Sequence, residues 1–397
     1  MPEVKESESV AIIGGGAVGL AIARELSQNG YEVFLFEQAE HFGSAQSTRN
    51  SGVIHAGMYY QPNSLKAKLC VQGRKMLYEF CQEYHVPFFK TGKIIVTQNA
   101  EEERKIDFYL VRGWANGVEG LRKISCNELK ELEPNIEGYS ALYSPETGIV
   151  DATEYIRALA HLADNAGAQL FCNKKAVEIC ARDSGFELRI ADTRMPEDKQ
   201  EIESMEFDWL INSAGVYADE IAAMVNSENK NRWHVIPVRG EYCKYYFSKR
   251  PELAIRRCVY GLPEELRTRD GTLVSGLGVH LVPVLEHMRG KYCLSDSVLV
   301  GPTMKAIFQK DDYKIDRYPE SYFLERARLL LPQLRLDDLH LDYAGIRSEL
   351  RESSDFLIQR DTGHSRCIHL LGIRSPGLTA SLAIARFVKE NFLQVAI

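Results

Sequence analysis

The chain has 397 residues, of which 45% are hydrophobic and 26% are charged, values that are ordinary for globular proteins. This length predicts two or three domains, and the composition excludes collagen, coiled-coil and disordered chains. The formal net charge of −7 gives no support for nucleic-acid binding, which favours a basic surface. An anionic substrate would therefore have to be held by a few local arginines or lysines.

The cysteines and the hydrophobic runs indicate in which cellular compartment the protein is expected. Nine cysteines are scattered without a C-x-x-C pair, so we expect neither a metal site nor a disulfide framework. No run reaches the roughly 18 consecutive apolar residues of a membrane helix, and the acidic segment 1–8 is unlike a signal peptide. We expect a cytoplasmic protein without a transmembrane segment, with peripheral attachment at the inner membrane face left open.

The first forty residues predict a β-α-β unit. Buried strands are predicted at 9–13 and 33–36, a helical pattern lies between them, and Glu37 ends the second strand. The first turn of this unit has the pattern G-x-G-x-x-G, formed by Gly14, Gly16 and Gly19.

This context predicts a dinucleotide site. Glycines permit the tight turn and let a pyrophosphate approach the helix N-terminus, while Glu37 accepts hydrogen bonds from ribose hydroxyls. The carboxylate repels the 2′-phosphate of NADP, which leaves FAD or NAD. The position of the motif near the start of the chain, and a second small-residue turn at Ala214-Gly215, favour FAD.

Parallel-type strands with crossover helices are predicted early, in the middle and late in the chain, with β-rich stretches between them. The predicted fold class is therefore α/β, with a Rossmann-type FAD-binding domain interleaved with a substrate domain of mixed β-sheet plus helices. The predicted boundaries are 1–90, 145–232 and 340–397 for the FAD-binding domain, and 91–144 and 233–339 for the substrate domain.

A family resemblance enters at the segment 47–57. Together with residues 58–60 and 64–69, it resembles the flavin-contacting segment of the L-2-hydroxyglutarate oxidase/dehydrogenase family, within the D-amino-acid-oxidase-like flavoproteins. Similar motifs follow in family order at 147–151, 237–242, 277–281, 344–347 and 375–381. Arg374 departs from the family pattern just before the last of them.

The resemblance implies an FAD-dependent oxidoreductase that oxidises an L-2-hydroxy acid by hydride transfer to the flavin. L-2-hydroxyglutarate is the favoured substrate, a small-molecule carboxylate. The implied second partner is an electron acceptor, either oxygen, a quinone or an electron-transfer protein. Three alternatives stay open: amine oxidation of the glycine or D-amino-acid oxidase type, oxidation of the glycerol-3-phosphate dehydrogenase type, and, least favoured, a non-catalytic FAD-binding module.

The residues expected to bind the cofactor combine the first turn with positions that the resemblance supplies. N–H groups at the start of the last helix suit anionic charge on a reduced flavin. Tyr59 and Tyr60 are expected to pack. The cofactor set is Gly14, Gly16, Gly19, Glu37, Asn50, Ser51, Val177, Ala214, Gly215, Gly377, Leu378 and Thr379.

Four residues are candidates for the chemistry. Oxidising a 2-hydroxy acid needs a base for the hydroxyl proton, and His280 is preferred over His55, which could instead contact or tether the flavin. Either histidine could be structural. Arg347 is expected to clamp the substrate carboxylate through two parallel hydrogen bonds, or else to pair with an acid such as Glu349. Arg239 serves either the distal carboxylate of a dicarboxylic substrate or the bracing of the domain junction.

Overall fold

The structure is a computed structural model that describes residues 7–267, 273–276, 278–288 and 290–393. The helices in those residues are α1 (Ala17–Ser27), α2 (Leu65–Glu83), α3 (Ala100–Ala115), α4 (Cys126–Leu132), α5 (Ala152–Asn165), α6 (Ala218–Val225), α7 (Glu320–Ala327) and α8 (Gly377–Phe392). The strands up to residue 207 are β1 (Ser9–Ile13), β2 (Glu32–Phe36), β3 (Val53–Ile54), β4 (Phe88–Phe89), β5 (Lys93–Thr97), β6 (Arg122–Ser125), β7 (Ser140–Ser144), β8 (Gly148–Val150), β9 (Gln169–Phe171), β10 (Lys174–Ala181), β11 (Phe186–Asp192) and β12 (Ile202–Phe207). The later strands are β13 (Trp209–Asn212), β14 (Val235–Tyr246), β15 (Cys258–Tyr260), β16 (Glu264–Arg267), β17 (Leu273–Gly276), β18 (His280–Met288), β19 (Lys291–Gly301), β20 (Lys305–Ala306), β21 (His340–Leu350), β22 (Leu357–Arg360) and β23 (Cys367–Leu371).

The chain forms two compact units from interleaved segments. Unit 1 comprises Met1–Thr48, Ala152–Ile236 and Ser348–Ile397, and unit 2 comprises Arg49–Asp151 and Pro237–Arg347. These units divide the chain at other positions than the predicted boundaries: residues 233–236 lie in unit 1 and residues 340–347 in unit 2. The largest differences are residues 49–90 and 145–151, which belong to unit 2. The reason is strand pairing: β3 and β4 both pair with β8, so these segments form one small antiparallel sheet.

Unit 1 is built on the sheet that the first forty residues predict. Its strand order is β22-β23-β13-β1-β2-β9, and all neighbours are parallel except β22 and β23. Four of the five β1 residues are buried, as expected for a central parallel strand covered on both faces. Helix α1 packs against α5 and α8. The predicted Rossmann-type fold is confirmed.

A buried polar network joins two strands of this sheet. Asn212 at the end of β13 contacts His369 Nδ1 of β23 at 3.1 Å, and His369 Nε2 lies 3.2 Å from Asp361 Oδ2. Asp361 also accepts a 2.6 Å hydrogen bond from Asn229. Burial alone would raise the pKa of Asp361, but the hydrogen bonds from His369 and Asn229 outweigh it and hold that pKa below its usual range.

Unit 2 carries the predicted antiparallel sheet. Its main sheet has the order β20-β14-β19-β18-β15-β5-β7-β6, with β21 paired to β14. The long hairpin of β18 and β19 and the parallel pair β15–β5 lie at its centre. All five residues of β5 are buried, including its first residue, Lys93. Leu277, in one of the family motifs, lies outside the described residues.

Candidate functional site

The glycine turn after β1 fits closely against the turn after β13. Gly14 has a φ of +104°, and a Cβ added there would lie 2.6 Å from the Ser213 carbonyl oxygen. A Cβ on Gly19 would lie 2.0 Å from the Gly14 carbonyl oxygen. Neither contact is possible for a side chain, so both positions require glycine. Ser213 Oγ donates to the Gly14 carbonyl at 3.1 Å, which fastens the two turns together.

The start of α1 is suited to a phosphate group. Gly16 is the N-cap residue, and it has no side chain to cap the helix. The Ala17 N–H donates to Ser47 Oγ at 3.0 Å. Unpaired N–H groups and the positive end of the helix dipole attract anions at such a terminus. A pyrophosphate therefore fits this turn.

Glu37 is fixed beside the same turn. One carboxylate oxygen accepts from the Gly15 N–H and the other from the Ala39 N–H, both at 2.8 Å. Burial raises the pKa of Glu37, and these backbone hydrogen bonds oppose that rise. A carboxylate has about four lone-pair positions, and the backbone N–H groups of Gly15, Ala39 and Gln38 act on this one, so at least one position remains for the hydroxyls of a ribose.

Three further candidates lie in unit 1 around the second turn and β10. Ala214 and Gly215 follow β13 directly and are half-buried, and Gly215 has a φ of +58°. Val177, also half-buried, sits at the irregularity where the pairing of β10 with β11 skips a residue. The structure thus places Ala214 beside Gly14, within the same pair of turns as the first glycines.

The start of α8 carries the last cofactor candidates in unit 1. Gly377 and Thr379 are buried in the first turn, and Leu378 between them is half-buried. The Gly377 N–H donates to the Arg374 carbonyl at 2.6 Å. The Arg374 side chain forms an ion pair with Glu349. Glu349 is the acid that the sequence suggests as an alternative partner for Arg347. In the structure Glu349 pairs instead with Arg374, the residue that departs from the family pattern.

His280 is the most sharply defined candidate in unit 2. Its side chain is 4% exposed and its ring stacks on Tyr260, with ring centroids 3.8 Å apart. His280 Nδ1 lies 2.9 Å from the Gly278 carbonyl oxygen, which can only accept a hydrogen bond, so Nδ1 carries the proton and Nε2 is the acceptor of the neutral ring. Burial lowers the pKa of His280 well below its usual value, against the Gly278 hydrogen bond, and the charges of Lys93, Arg347 and His55 lower it further.

His55 and Arg347 lie near His280 in the same unit. Burial lowers the pKa of His55 to about 3, and the Lys93 charge acts in the same direction. Arg347 is half-buried on β21, three residues before the end of the strand, and its Nη2 would lie 3.1 Å from a Cβ built on Gly240. The structure therefore groups His280, His55 and Arg347 closely enough for their charges to interact.

Arg239 belongs to a different, closed network. Its Nε lies 2.9 Å from Glu241 Oε1, and its Nη1 lies 3.0 Å from Asp312 Oδ2. The remaining donors reach the carbonyl oxygens of residues 312, 315 and 316 at 3.2, 2.6 and 3.0 Å. These five acceptors match the five N–H groups of a guanidinium. The geometry favours bracing over substrate binding, and the bracing lies within unit 2.

Asn50 and Ser51 also lie in unit 2, in the loop that carries the family resemblance. Asn50 Oδ1 accepts from the Gly52 N–H at 2.8 Å, and its carbonyl accepts from Tyr343 at 2.6 Å. Ser51 is hydrogen-bonded to Tyr242. These contacts fix the loop to unit 2's own strands.

Sequence reasoning missed Lys93. Its Nζ lies 4.5 Å from the ring centroid of Tyr59 and 4.7 Å from that of Tyr260. Tyr59 thus has a charged neighbour in addition to the packing expected of it. A signal was present, since Lys93 opens an otherwise apolar strand that has no polar alternation to give it a solvent face.

The described residues lack two features, a cluster of metal ligands and a membrane-spanning helix. They contain no group of three or more His, Cys, Asp or Glu arranged to hold a metal ion. None of their helices is long and apolar enough to cross a membrane.

Comparison with known proteins bears on the dinucleotide site and the fold around it. The model of the FAD dependent oxidoreductase (DAO) family matches residues 9–390. The chain belongs to this family. Its cofactor is therefore FAD, and the chain is an FAD-dependent oxidoreductase.

The names of several similar proteins also state a substrate. The mitochondrial L-2-hydroxyglutarate dehydrogenase of Arabidopsis thaliana is 34% identical over 98% of this chain and 84% of its own length. The L-2-hydroxyglutarate dehydrogenase of Indibacter alkaliphilus is 30% identical over 96% of this chain and 98% of its own. The structure of L-α-glycerophosphate oxidase from Mycoplasma pneumoniae with FAD bound matches with a TM-score of 0.81 and 26% identity, covering 96% and 93% of the two chains.

Replacing Glu37 tests the cofactor side. Glu37→Ala removes the acceptor for ribose and the two hydrogen bonds that hold the turn, so we expect FAD affinity to fall by roughly 10- to 150-fold, from the loss of about 1.5–3 kcal/mol for charged hydrogen bonds. The ratio of flavin to protein absorbance after dialysis measures it. The exposed neighbour Glu40 supplies the matched control, Glu40→Ala. Full retention of FAD by Glu37→Ala would remove Glu37 from the site.

Proposed function

We propose that this protein oxidises L-2-hydroxyglutarate to 2-oxoglutarate. The observation that carries the proposal is the grouping of a neutral histidine, His280, with the cations Arg347 and Lys93 in unit 2. A 2-hydroxy acid requires a proton acceptor and a carboxylate partner, and this grouping contains both. The identities of 34% and 30% to L-2-hydroxyglutarate dehydrogenases over nearly the whole chain support the choice of acid.

Arg347 binds the substrate's α-carboxylate in this proposal. A guanidinium holds a carboxylate through two parallel hydrogen bonds, which fixes the orientation of the adjoining α-carbon. Gly240 packs closely against the guanidinium, because a Cβ there would lie only 3.1 Å from Arg347 Nη2. The acid Glu349 is paired with Arg374.

His280 accepts the hydroxyl proton at Nε2. Its Nδ1 is committed to the Gly278 carbonyl, which fixes the tautomer, and burial keeps the ring neutral. Loss of this proton from oxygen and of a hydride from the α-carbon converts the alcohol to the ketone. When bound, FAD supplies the hydride acceptor, and Gly14, Gly16, Gly19 and Glu37 hold its dinucleotide part. His55, also neutral, remains the second candidate base.

Glycerol 3-phosphate is the second candidate substrate, favoured by the likeness to the Mycoplasma pneumoniae oxidase. Its alcohol needs the same base, but its phosphate replaces the carboxylate. The amine-oxidising alternative needs no base for a hydroxyl proton. Substrate comparison therefore separates all three.

Anaerobic titration tests the proposed reaction. We expect L-2-hydroxyglutarate to bleach the FAD absorbance of the purified protein stoichiometrically, with 2-oxoglutarate formed, because the flavin accepts the hydride directly. The D-enantiomer, glycerol 3-phosphate, glycine and D-alanine serve as comparison substrates. Bleaching by one of these, with none by L-2-hydroxyglutarate, would refute the proposal. Reoxidation of the reduced protein with oxygen, a quinone or an electron-transfer protein then identifies the acceptor class.

Arg347→Ala tests the carboxylate contact. We expect KM to rise by roughly 10- to 150-fold, the equivalent of about 1.5–3 kcal/mol of charged hydrogen bonding, with FAD retained. Arg104, exposed on α3, provides the control Arg104→Ala. Steady-state kinetics with L-2-hydroxyglutarate measure both variants. An unchanged KM would exclude Arg347 from the substrate site.

His280→Ala tests the base. We expect the rate of flavin reduction in stopped flow to fall by on the order of 10²–10⁴. Because the pKa of His280 is lowered in the free folded protein, its basic form persists as the pH falls, so the wild-type kcat/KM, which reports groups of the free enzyme, should not fall between pH 7 and 6. His55→Ala is the matched comparison. A larger loss in His55→Ala than in His280→Ala would transfer the role of base to His55.

A further inference from the structure

Lys93 carries a buried positive charge. Its side chain is 1% exposed at the start of β5, and burial lowers its pKa to about 8, so the ammonium form still prevails at neutral pH. Burying a charge is costly unless an opposite charge or hydrogen bonds offset the loss of water. A buried lysine is therefore expected to have a partner that carries negative charge or accepts hydrogen bonds.

Two other buried cations of unit 2 lie beside acids. Arg239 pairs with Glu241 and Asp312, and Arg74 lies 3.6 Å from Glu146. Among the described residues, no carboxylate forms an ion pair with Lys93. The groups that oppose the lowering of its pKa are the thiols of Cys258 and Cys70. Burial raises the pKa of these thiols to about 11 and about 12, so they are uncharged and do not neutralise the ammonium.

Two tyrosine rings enclose the ammonium. Lys93 Nζ lies over Tyr59 and Tyr260 at 4.5 and 4.7 Å from the ring centroids, within the range of cation–π attraction. The hydroxyl oxygens of both tyrosines are buried and have no hydrogen-bond partner in the described part of the chain. Burial holds the pKa of both well above the usual value, so both remain protonated donors. One ammonium and two phenols thus lack an acceptor.

This cluster adjoins the candidate base. The Tyr260 ring stacks on His280 at 3.8 Å between centroids with 13° between the planes. The Lys93 charge acts on His280 and on His55. A molecule presenting its hydroxyl to His280 would therefore have the Lys93 cluster nearby.

We propose that Lys93, with the hydroxyls of Tyr59 and Tyr260, forms a subsite for the second carboxylate of a dicarboxylic substrate. A carboxylate supplies the missing negative charge and up to four acceptor positions for the ammonium and the two hydroxyl groups. This inference rests on the proposed oxidation of L-2-hydroxyglutarate and assigns the distal carboxylate to Lys93, where sequence reasoning had considered Arg239.

The test compares two acids of the same chain length. L-2-hydroxyvalerate has a methyl group where L-2-hydroxyglutarate has its distal carboxylate. We expect Lys93→Met to lower the ratio of kcat/KM for L-2-hydroxyglutarate to kcat/KM for L-2-hydroxyvalerate by roughly 10- to 150-fold, as for the loss of a charged hydrogen bond. Equal effects on both acids, or none on either, would overturn the inference.

Further variants separate charge from packing. Lys93→Arg should retain part of the preference for the dicarboxylate. Lys105→Met, the same substitution at an exposed helix position, should change kcat/KM for neither acid. Tyr260→Phe removes a hydroxyl alone and should weaken L-2-hydroxyglutarate selectively by several-fold; this variant decides the matter if Lys93→Met fails to fold. An equal loss for both acids in Tyr260→Phe would also count against the subsite.

A binding measurement keeps the two proposals distinguishable. Glutarate and valerate lack the hydroxyl and cannot be oxidised, and their binding is read from the flavin spectrum. Glutarate should bind the wild type more tightly than valerate, and Lys93→Met should abolish the difference. If L-2-hydroxyglutarate does not reduce the flavin, the proposed function fails, yet this comparison still decides whether Lys93 binds a distal carboxylate; identical affinities in the wild type would show that it does not.

Discussion

The contact between the end of β1 and the turn after β13 is the constraint on which the cofactor side of this protein depends. The parallel pairing of β1 with β13 and β2 brings three carboxyl ends to one edge of the sheet. The Gly14 turn then fits against Ser213 with no space for a Cβ, and Glu37 reaches back to the Gly15 N–H. The carboxylate is held in the turn by the protein's own backbone N–H groups, so the acceptors proposed for a ribose are preorganised.

Unit 2 shows three ways of holding buried positive charge. Arg239 has its five donors filled by carboxylates and carbonyls, and it ties β14 to the segment 312–316. Arg74 has a single acid at longer range. Lys93 has aromatic faces instead of an acid. The first arrangement is closed, and a closed network has nothing left to offer a ligand. In the third arrangement no acid balances the charge of the lysine. That difference is the reason for assigning substrate recognition to Lys93 instead of Arg239.

The sequence predicted those features that are set locally. The glycine turn, Glu37 and the helices α1 and α8 follow from short-range pattern, and the structure has them where expected. The two compact units divide near residue 48 and not near residue 90, because β3 and β4 pair with β8, some 60 to 95 residues away, and no local pattern encodes that pairing. The network of Arg239 depends on acceptors more than 70 residues along the chain. The burial of Lys93 depends on a sheet covered on both faces, and the tautomer of His280 on a single carbonyl.

The cations beside His280 link recognition to basicity. A positive charge near an imidazole lowers its pKa, because it disfavours the imidazolium form. In the free protein Lys93 and Arg347 act on His280 in this direction, together with burial, so the ring is neutral but a weak base. A substrate carboxylate beside each cation would offset its charge and raise the pKa of His280 toward the usual value. The two anionic groups by which the proposed substrate is recognised would then also strengthen the proton acceptor, whereas an uncharged alcohol in the same place would leave the histidine weak.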